Sequence, residues 1–176
     1  MTMKFAYIDP PYLGMGKKMY GTLHTEAAKW DDRQSHIDLI AKMTEEYPDG
    51  WVYSCNPKDL VWLLPHMPEG ARVGAWCKTF FQIRKTHTQY AWEPVIFYGG
   101  RIENGRKPMV RDWLSCARAM KKGVPGAKPD KFNDWVVELL NAKDGDEVVD
   151  IFPGSGGLKI ACEKVGALYV PNSNTM

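Results

Sequence analysis

Long hydrophobic runs are missing from this 176-residue chain. Its apolar stretches are short and interrupted, and none approaches the roughly 20 residues a membrane-spanning helix needs. Residues 1–20 lack the basic, apolar and small-residue order of a secretory signal. Cysteine is scarce. Cys55, Cys77, Cys116 and Cys162 are scattered and include no C-x-x-C pair, which argues against a disulfide scaffold. They read as reduced thiols, mostly in the core of a cytoplasmic protein. His24, His36, His66 and His87 show no ligand spacing, so no metal site is expected. Repeats and low-complexity segments are absent, and so is a large net charge: 23 basic against 21 acidic residues leave +2.

What is present is ordinary globular material for one domain, 44% hydrophobic and 25% charged. The small net charge hides an asymmetry. Residues 1–77 carry eight basic and ten acidic side chains, and residues 123–176 carry five and eight. Residues 78–122 carry ten basic and three acidic, or +7. Phe80, Phe81, Tyr90, Trp92 and Trp113 are interleaved with the cations there. A cationic surface bearing aromatics suits a polyanion with stackable bases, against the plain alternative of a solvated basic loop.

Strands are predicted at Lys4–Ile8, Trp51–Cys55, Ala71–Lys78, Pro94–Tyr98, Val148–Phe152 and Ala167–Val170. Asp31 and Asp32 can cap a helix over 33–47, where Ile37, Ile40, Ala41, Thr44 and Tyr47 recur at helical spacing. A short helix is expected over Asp59–Leu64. Pro129 opens another, with Phe132, Trp135, Val136, Leu139 and Leu140 on one face. A fourth runs from the glycines at 154–157 to Val165. Residues 101–128 look irregular, and residues 13–32 form a long polar loop of the kind that is usually functional or mobile. Trp51, Trp62, Trp76 and Trp135 are assigned to the core. Strands alternating with helices predict an α/β fold whose mostly parallel sheet is covered on both faces.

Two motifs stand at predicted strand ends, where ligands bind in open α/β sheets. Asp9-Pro10-Pro11-Tyr12 presents a carboxylate and a carbonyl as acceptors, on a backbone that the prolines fix. An exocyclic NH2 on a base has two donors to match, and Tyr12 offers a flat face for stacking. A plain strand-ending turn would use the same residues. Asp150-Ile151-Phe152-Pro153-Gly154-Ser155-Gly156-Gly157 lies between a strand and a helix. Its glycines let a ligand approach the backbone and expose helix N-terminal N–H groups. It has neither a P-loop lysine nor the G-x-G-x-x-G pattern. An acid just before the glycines suits an ammonium better than a phosphate.

Taken together, D-P-P-Y and D-x-F-x-G-S-G resemble the signature pair of the S-adenosylmethionine-dependent amino-methyltransferases of DNA. Trp92-Glu-Pro-Val-Ile-Phe-Tyr-Gly-Gly100 is similar to that family's H-E-P-I-L-V-F-x-K strand. Lys128-Pro129 is similar to its K-P segment, and Asp144-Gly-Asp-Glu-Val-Val-Asp150 to its P-G-D-x-V-L-D. The resemblance spans roughly residues 4–170. It implies a Rossmann-like methyltransferase sheet in the circularly permuted "beta" order, with D-P-P-Y first and the glycine loop near the C-terminus. Asp9, Pro10, Pro11 and Tyr12 would be catalytic, holding the target amino group and stacking on the base. Asp150 would bind the methionine ammonium of S-adenosylmethionine. Phe152, Gly154, Ser155 and Gly156 would line the cofactor, and Lys128 would sit near its carboxylate. The base must be flipped out of a duplex or single-stranded. D-P-P-Y leans to adenine N6 over cytosine N4.

Lys78, Arg84, Lys85 and His87, close to the active edge, are expected to contact nucleic acid. Lys17, Lys18, Tyr20 and Trp30 lie in a loop able to fold over base or cofactor. The 137 residues between Tyr12 and Asp150 leave little room for a large recognition domain, so residues 1–176 are expected to form a single methyltransferase domain. One feature departs from the family pattern: Pro171, Asn172 and Ser173 follow the last strand where an acid usually grips the cofactor ribose. The little room for a recognition domain motivates one alternative, an RNA or free-nucleotide acceptor. The missing acid motivates two others: a weakly catalytic nucleic-acid-binding relative, or a homodimer or partner chain that completes the site.

Overall fold

The computed structural model describes residues 1–22, 25–80, 83–103, 109–118 and 126–172. Of the residues singled out above, His24, Phe81, Ser173 and part of the basic block lie outside them. Strands β1 (Lys4–Ile8), β2 (Gly50–Ser54), β3 (Arg72–Lys78), β4 (Trp92–Gly99), β5 (Trp113–Cys116), β6 (Glu147–Asp150) and β7 (Leu168–Pro171) form one sheet. Their spatial order is β5-β3-β4-β2-β1-β6-β7. The sheet is mostly parallel, and both antiparallel pairings belong to β4. Among the described residues no helix intervenes between β3 and β4; the chain reverses direction there and wedges β4 between β3 and β2.

Alternation along the strands sorts side chains to two faces. Phe5, Tyr7, Val52, Trp76, Val95 and Val148 pack beneath helices α3 (Asp130–Leu140) and α4 (Gly157–Val165). Ala6, Ile8, Trp51, Tyr53, Ile96 and Val149 pack against α1 (Arg33–Glu46) and the short α2 (Leu60–Leu63). Burying both faces is what makes the central strands near-continuous apolar runs. Trp51, Trp76 and Trp135 are core residues, and Trp62 packs at the core's margin.

Strand β5 corrects the expectation of irregular chain over 101–128. It has four residues, lies at the sheet edge, and its Trp113 is 47% exposed. So short a segment, half in solvent, shows no alternation to read. Long-range bonds make it a strand: Ala75 N–H to Asp112 O at 2.9 Å, and Trp76 Nε1 to Cys116 O at 3.2 Å.

The loop after β1 is also more ordered than its composition implies. It holds a helical turn at Gly16–Tyr20 and another at Ala27–Asp31. Asp31 accepts from the backbone N–H of Gly16 (2.7 Å) and Lys17 (3.0 Å), pinning the turns together. Asp32 is the helix cap, accepting from Ser35 N–H at 3.2 Å. Removing that cap in Asp32→Ala should cost about 1 kcal/mol, read as a lower urea midpoint with an unchanged denaturant slope.

Candidate active site at the carboxyl edge of the sheet

Strands β1, β2, β3, β5, β6 and β7 share one direction, so the segments after Ile8, Ser54, Lys78, Cys116 and Asp150 all leave the same edge. Antiparallel β4 begins at that edge with Trp92 and Glu93. A cavity of about 600 Å³ opens there, walled by Asp9, Tyr12, Asn56, Lys78, Glu93 and Lys128. Exposed Lys18, Lys58, Arg84 and Arg118 also line it.

The wall of this cavity is a charge network. The Lys128 ammonium donates to Asp9 Oδ1 at 2.9 Å and to the Tyr12 hydroxyl at 3.3 Å, and stands 3.9 Å from Glu93. The Tyr12 hydroxyl donates to Glu93 Oε2 at 2.8 Å, and Lys78 ion-pairs with Glu93. Burial alone would raise the Glu93 pKa, but Lys128 and Lys78 outweigh it and hold the carboxyl below its usual range. Burial raises the Asp9 pKa despite the opposing pull of Lys128. Burial opposes the Lys128 charge, yet Asp9 and Glu93 keep its pKa above the ordinary lysine value. The result is two carboxylates and two ammonium groups, nearly balanced, in a partly dry site.

The second motif sits next door. β1 and β6 are adjacent, with Tyr7 opposite Asp150, and Ile151 N–H donates to Tyr7 O at 2.9 Å. The pair is off-centre in the sheet, with β7 alone outside β6. Asp150 is 3% exposed. The Tyr169 hydroxyl donates to its Oδ2 at 3.2 Å, while buried Oδ1 makes no hydrogen bond of normal geometry among the described residues. Burial pushes this carboxyl up to about 7, with Asp9 adding to the shift and Tyr169 and the Phe152 N–H opposing it. A buried acceptor with a spare oxygen is the complement of a cationic ligand. Gly154 and Ser155 are exposed, and Gly156 caps α4 at φ 70°, a conformation that favours glycine. At Gly157 a Cβ would lie 2.6 Å from Nδ2 of buried Asn133, so a side chain there would force Asn133 to shift. Phe152 is buried, with its ring edge-to-face on Trp30 at 5.0 Å.

No family model and no curated protein matches the sequence. Solved structures do match the fold. M1.HpyAVI in complex with SAM superposes with a TM-score of 0.67 at 17% identity, covering 97% of this chain and 82% of the other. PvuII DNA methyltransferase, described as cytosine-N4-specific, gives 0.65 at 18%, covering 97% and 74%. The fold is the methyltransferase fold that these structures share. On that scaffold the structure gathers Asp9, Pro10, Pro11, Tyr12 and Lys128 around one cavity and keeps Asp150, Phe152, Gly154, Ser155 and Gly156 on the neighbouring loop, outside the cavity lining. The Lys128 ammonium lies on Asp9 and Tyr12.

The basic block is divided by the fold. Lys78, Arg84, Lys85, His87 and Arg118 are at the active edge, whereas Arg101 and Arg111 follow or precede strands at the opposite one. Arg101 pairs with Asp146 there. Arg106, Lys107, Lys121 and Lys122 lie outside the described residues. Lys78 is only 7% exposed, its charge spent on Glu93, whereas Arg84, Lys85 and His87 are exposed. Of the loop residues, Lys18 and Tyr20 reach the cavity, and Trp30 is core. Sequence reasoning missed Glu93 and Lys58. Glu93 had a signal, since an acid at the start of an otherwise apolar strand must find a partner. Lys58 had none.

Proposed function

We propose that this protein transfers a methyl group from S-adenosylmethionine to an exocyclic amino group of a base in DNA, with adenine N6 favoured over cytosine N4. The observation that carries the reading is the pairing of β1 with β6. It brings the Asp9-Pro10 acceptors and the unsatisfied buried acceptor of Asp150 out of the sheet side by side. The methyltransferase fold supports it.

When bound, S-adenosylmethionine supplies a methyl group activated by its sulfonium. Asp150 would pair with the ammonium of that ligand. Phe152, Gly154, Ser155 and Gly156 would line its site, with the glycines leaving the backbone open to approach. Asp9 and the Pro10 carbonyl would accept the two amino hydrogens and draw the nitrogen toward tetrahedral geometry, concentrating its lone pair. Pro11 holds that turn rigid, and Tyr12 would stack on the base. The acceleration is then mainly positioning and fixed dipoles. Asp9, its pKa already raised by burial, is a reasonable recipient of the proton released after transfer.

The motif order would be the permuted one, in a single domain without a large recognition module, acting in the cytoplasm. The base would arrive flipped out or on a single strand. A second copy or another chain would complete the ribose side, where Pro171 and Asn172 offer no acid. Arg84, Lys85 and His87 would contact phosphates, with Lys78 serving Glu93. If Arg84 and Lys85 each neutralise one phosphate, replacing both by alanine should flatten the slope of log K against log salt by roughly 1.5–2 units. An unchanged slope would move the footprint off this loop.

The deciding experiment is incubation with labelled cofactor and unmethylated DNA, followed by identification of the methylated base. N6-methyladenine is the expected product. N4-methylcytosine would change the base, and labelled RNA or nucleotide would change the substrate. Nucleic-acid binding without transfer would leave the weakly catalytic relative. Absence of both would overturn the proposal.

A further inference from the structure

We infer that Lys128 is a specificity-determining residue: its ammonium donates to the ring nitrogen next to the target amino group, so Asp9 and Lys128 together read an amino base. The inference rests on the reading that a base amino group binds at Asp9. Lys128 Nζ lies 2.9 Å from Asp9 Oδ1, so an acceptor and a donor stand side by side on the cavity wall. Adenine presents the complementary pair on neighbouring atoms: the N6 amino donor and the N1 acceptor. Cytosine does the same with N4 and N3. Paired donor–acceptor contacts of this kind carry base discrimination. At the corresponding positions guanine and thymine carry a carbonyl oxygen and a ring N–H, the reverse order. They would have to turn over in the cavity to match, which a base held by its sugar and stacked on Tyr12 cannot do freely.

The lysine is held for this role from two sides. Glu93, 3.9 Å away, and Asp9 both favour its charged form. The Tyr12 hydroxyl also touches it at 3.3 Å, which ties the stacking ring to the donor. With its charge nearly balanced by the two carboxylates, the ammonium can donate without protonating the base. The bond would draw electron density from the ring, so it does not speed the chemistry. Its contribution is selection, because a base without the ring acceptor leaves a buried ammonium short of a partner.

The test compares single-stranded oligonucleotides carrying one adenine or one 1-deazaadenine, which lacks the N1 acceptor. Both methyl-transfer kcat/KM and binding affinity are measured. Wild-type protein should prefer adenine by about 10–100-fold, the range for a hydrogen bond to a charged donor. Lys128→Met should fall on adenine toward the 1-deazaadenine level and so lose the preference. Lys128→Arg, which keeps a cationic donor and guards against a folding defect in the first variant, should retain part of it. Equal wild-type rates and affinities for the two bases would overturn the inference while leaving the methyltransferase reading intact. So would a full preference surviving in Lys128→Met. If wild-type protein neither binds nor methylates either oligonucleotide, the reading beneath the inference fails, and the inference with it.

Discussion

Asp9→Ala is expected to lower methyl transfer by about 10²–10³-fold, the usual effect of losing one preorganised polar partner in a water-excluded site. The substitution should also be felt by the folded protein. Lys128 would lose its nearest carboxylate and, among the described residues, keep Glu93, at 3.9 Å, and the Tyr12 hydroxyl. Leaving a buried ammonium partly unpaired costs about 1–3 kcal/mol, visible as a lower denaturation midpoint. Cofactor affinity should hold or improve, because Asp9 is one of the groups that raise the Asp150 pKa. Single-turnover rates, denaturation curves and cofactor titrations on one variant separate the three effects. Wild-type turnover in Asp9→Ala would overturn the mechanism.

Most of the fold could be read from local signals, and the exceptions have physical reasons. Lys4–Ile8 and the helix over 130–140 announce themselves because burial on a sheet or under a helix demands a continuous pattern. Lys128-Pro129 marks a helix start, since proline is tolerated in the first turn. β5 stayed hidden because its pairing partner, β3, is about 40 residues away and its own side chains are half in water. Trp30 was read as a loop residue because the loop's polarity masks one aromatic anchor, and only Phe152 in the folded chain shows where it lands. The candidate site divides in the same way. Asp9 and Asp150 are written into motifs, each next to a strand end. The position of Lys128 on Asp9, 119 residues earlier in the chain, depends on how α3 approaches β1 and no local pattern encodes it. The charge count over 78–122 misled as a guide to a surface, because a run along the chain crosses both edges of a sheet.

Asp150 should make cofactor binding depend on pH with a definite sign. Its carboxyl titrates at about 7 in the free protein, so about a tenth is ionised at pH 6 and about nine tenths at pH 8. If the ionised form takes the ligand's ammonium, affinity for S-adenosylmethionine should rise about tenfold between those pH values, with proton release on binding below pH 7. Asp150→Asn should remove most of this dependence and weaken binding at pH 8 by about 10–100-fold. Stability of the free protein should move the other way. The folded pKa lies above the unfolded value of 3.8, so the folded state binds the extra proton between pH 4 and 7. This group's contribution is therefore fully present below pH 4, declines as pH rises through 7, and is flat above. The decline amounts to up to about 4 kcal/mol, and Asp150→Asn should escape it, since an amide oxygen can still accept from Tyr169 without carrying a buried charge. A variant that is more stable than wild type at pH 8 yet binds the cofactor less well would mark Asp150 as a residue kept for its ligand. Unchanged cofactor affinity in Asp150→Asn across the whole range would remove the glycine loop from the proposed site.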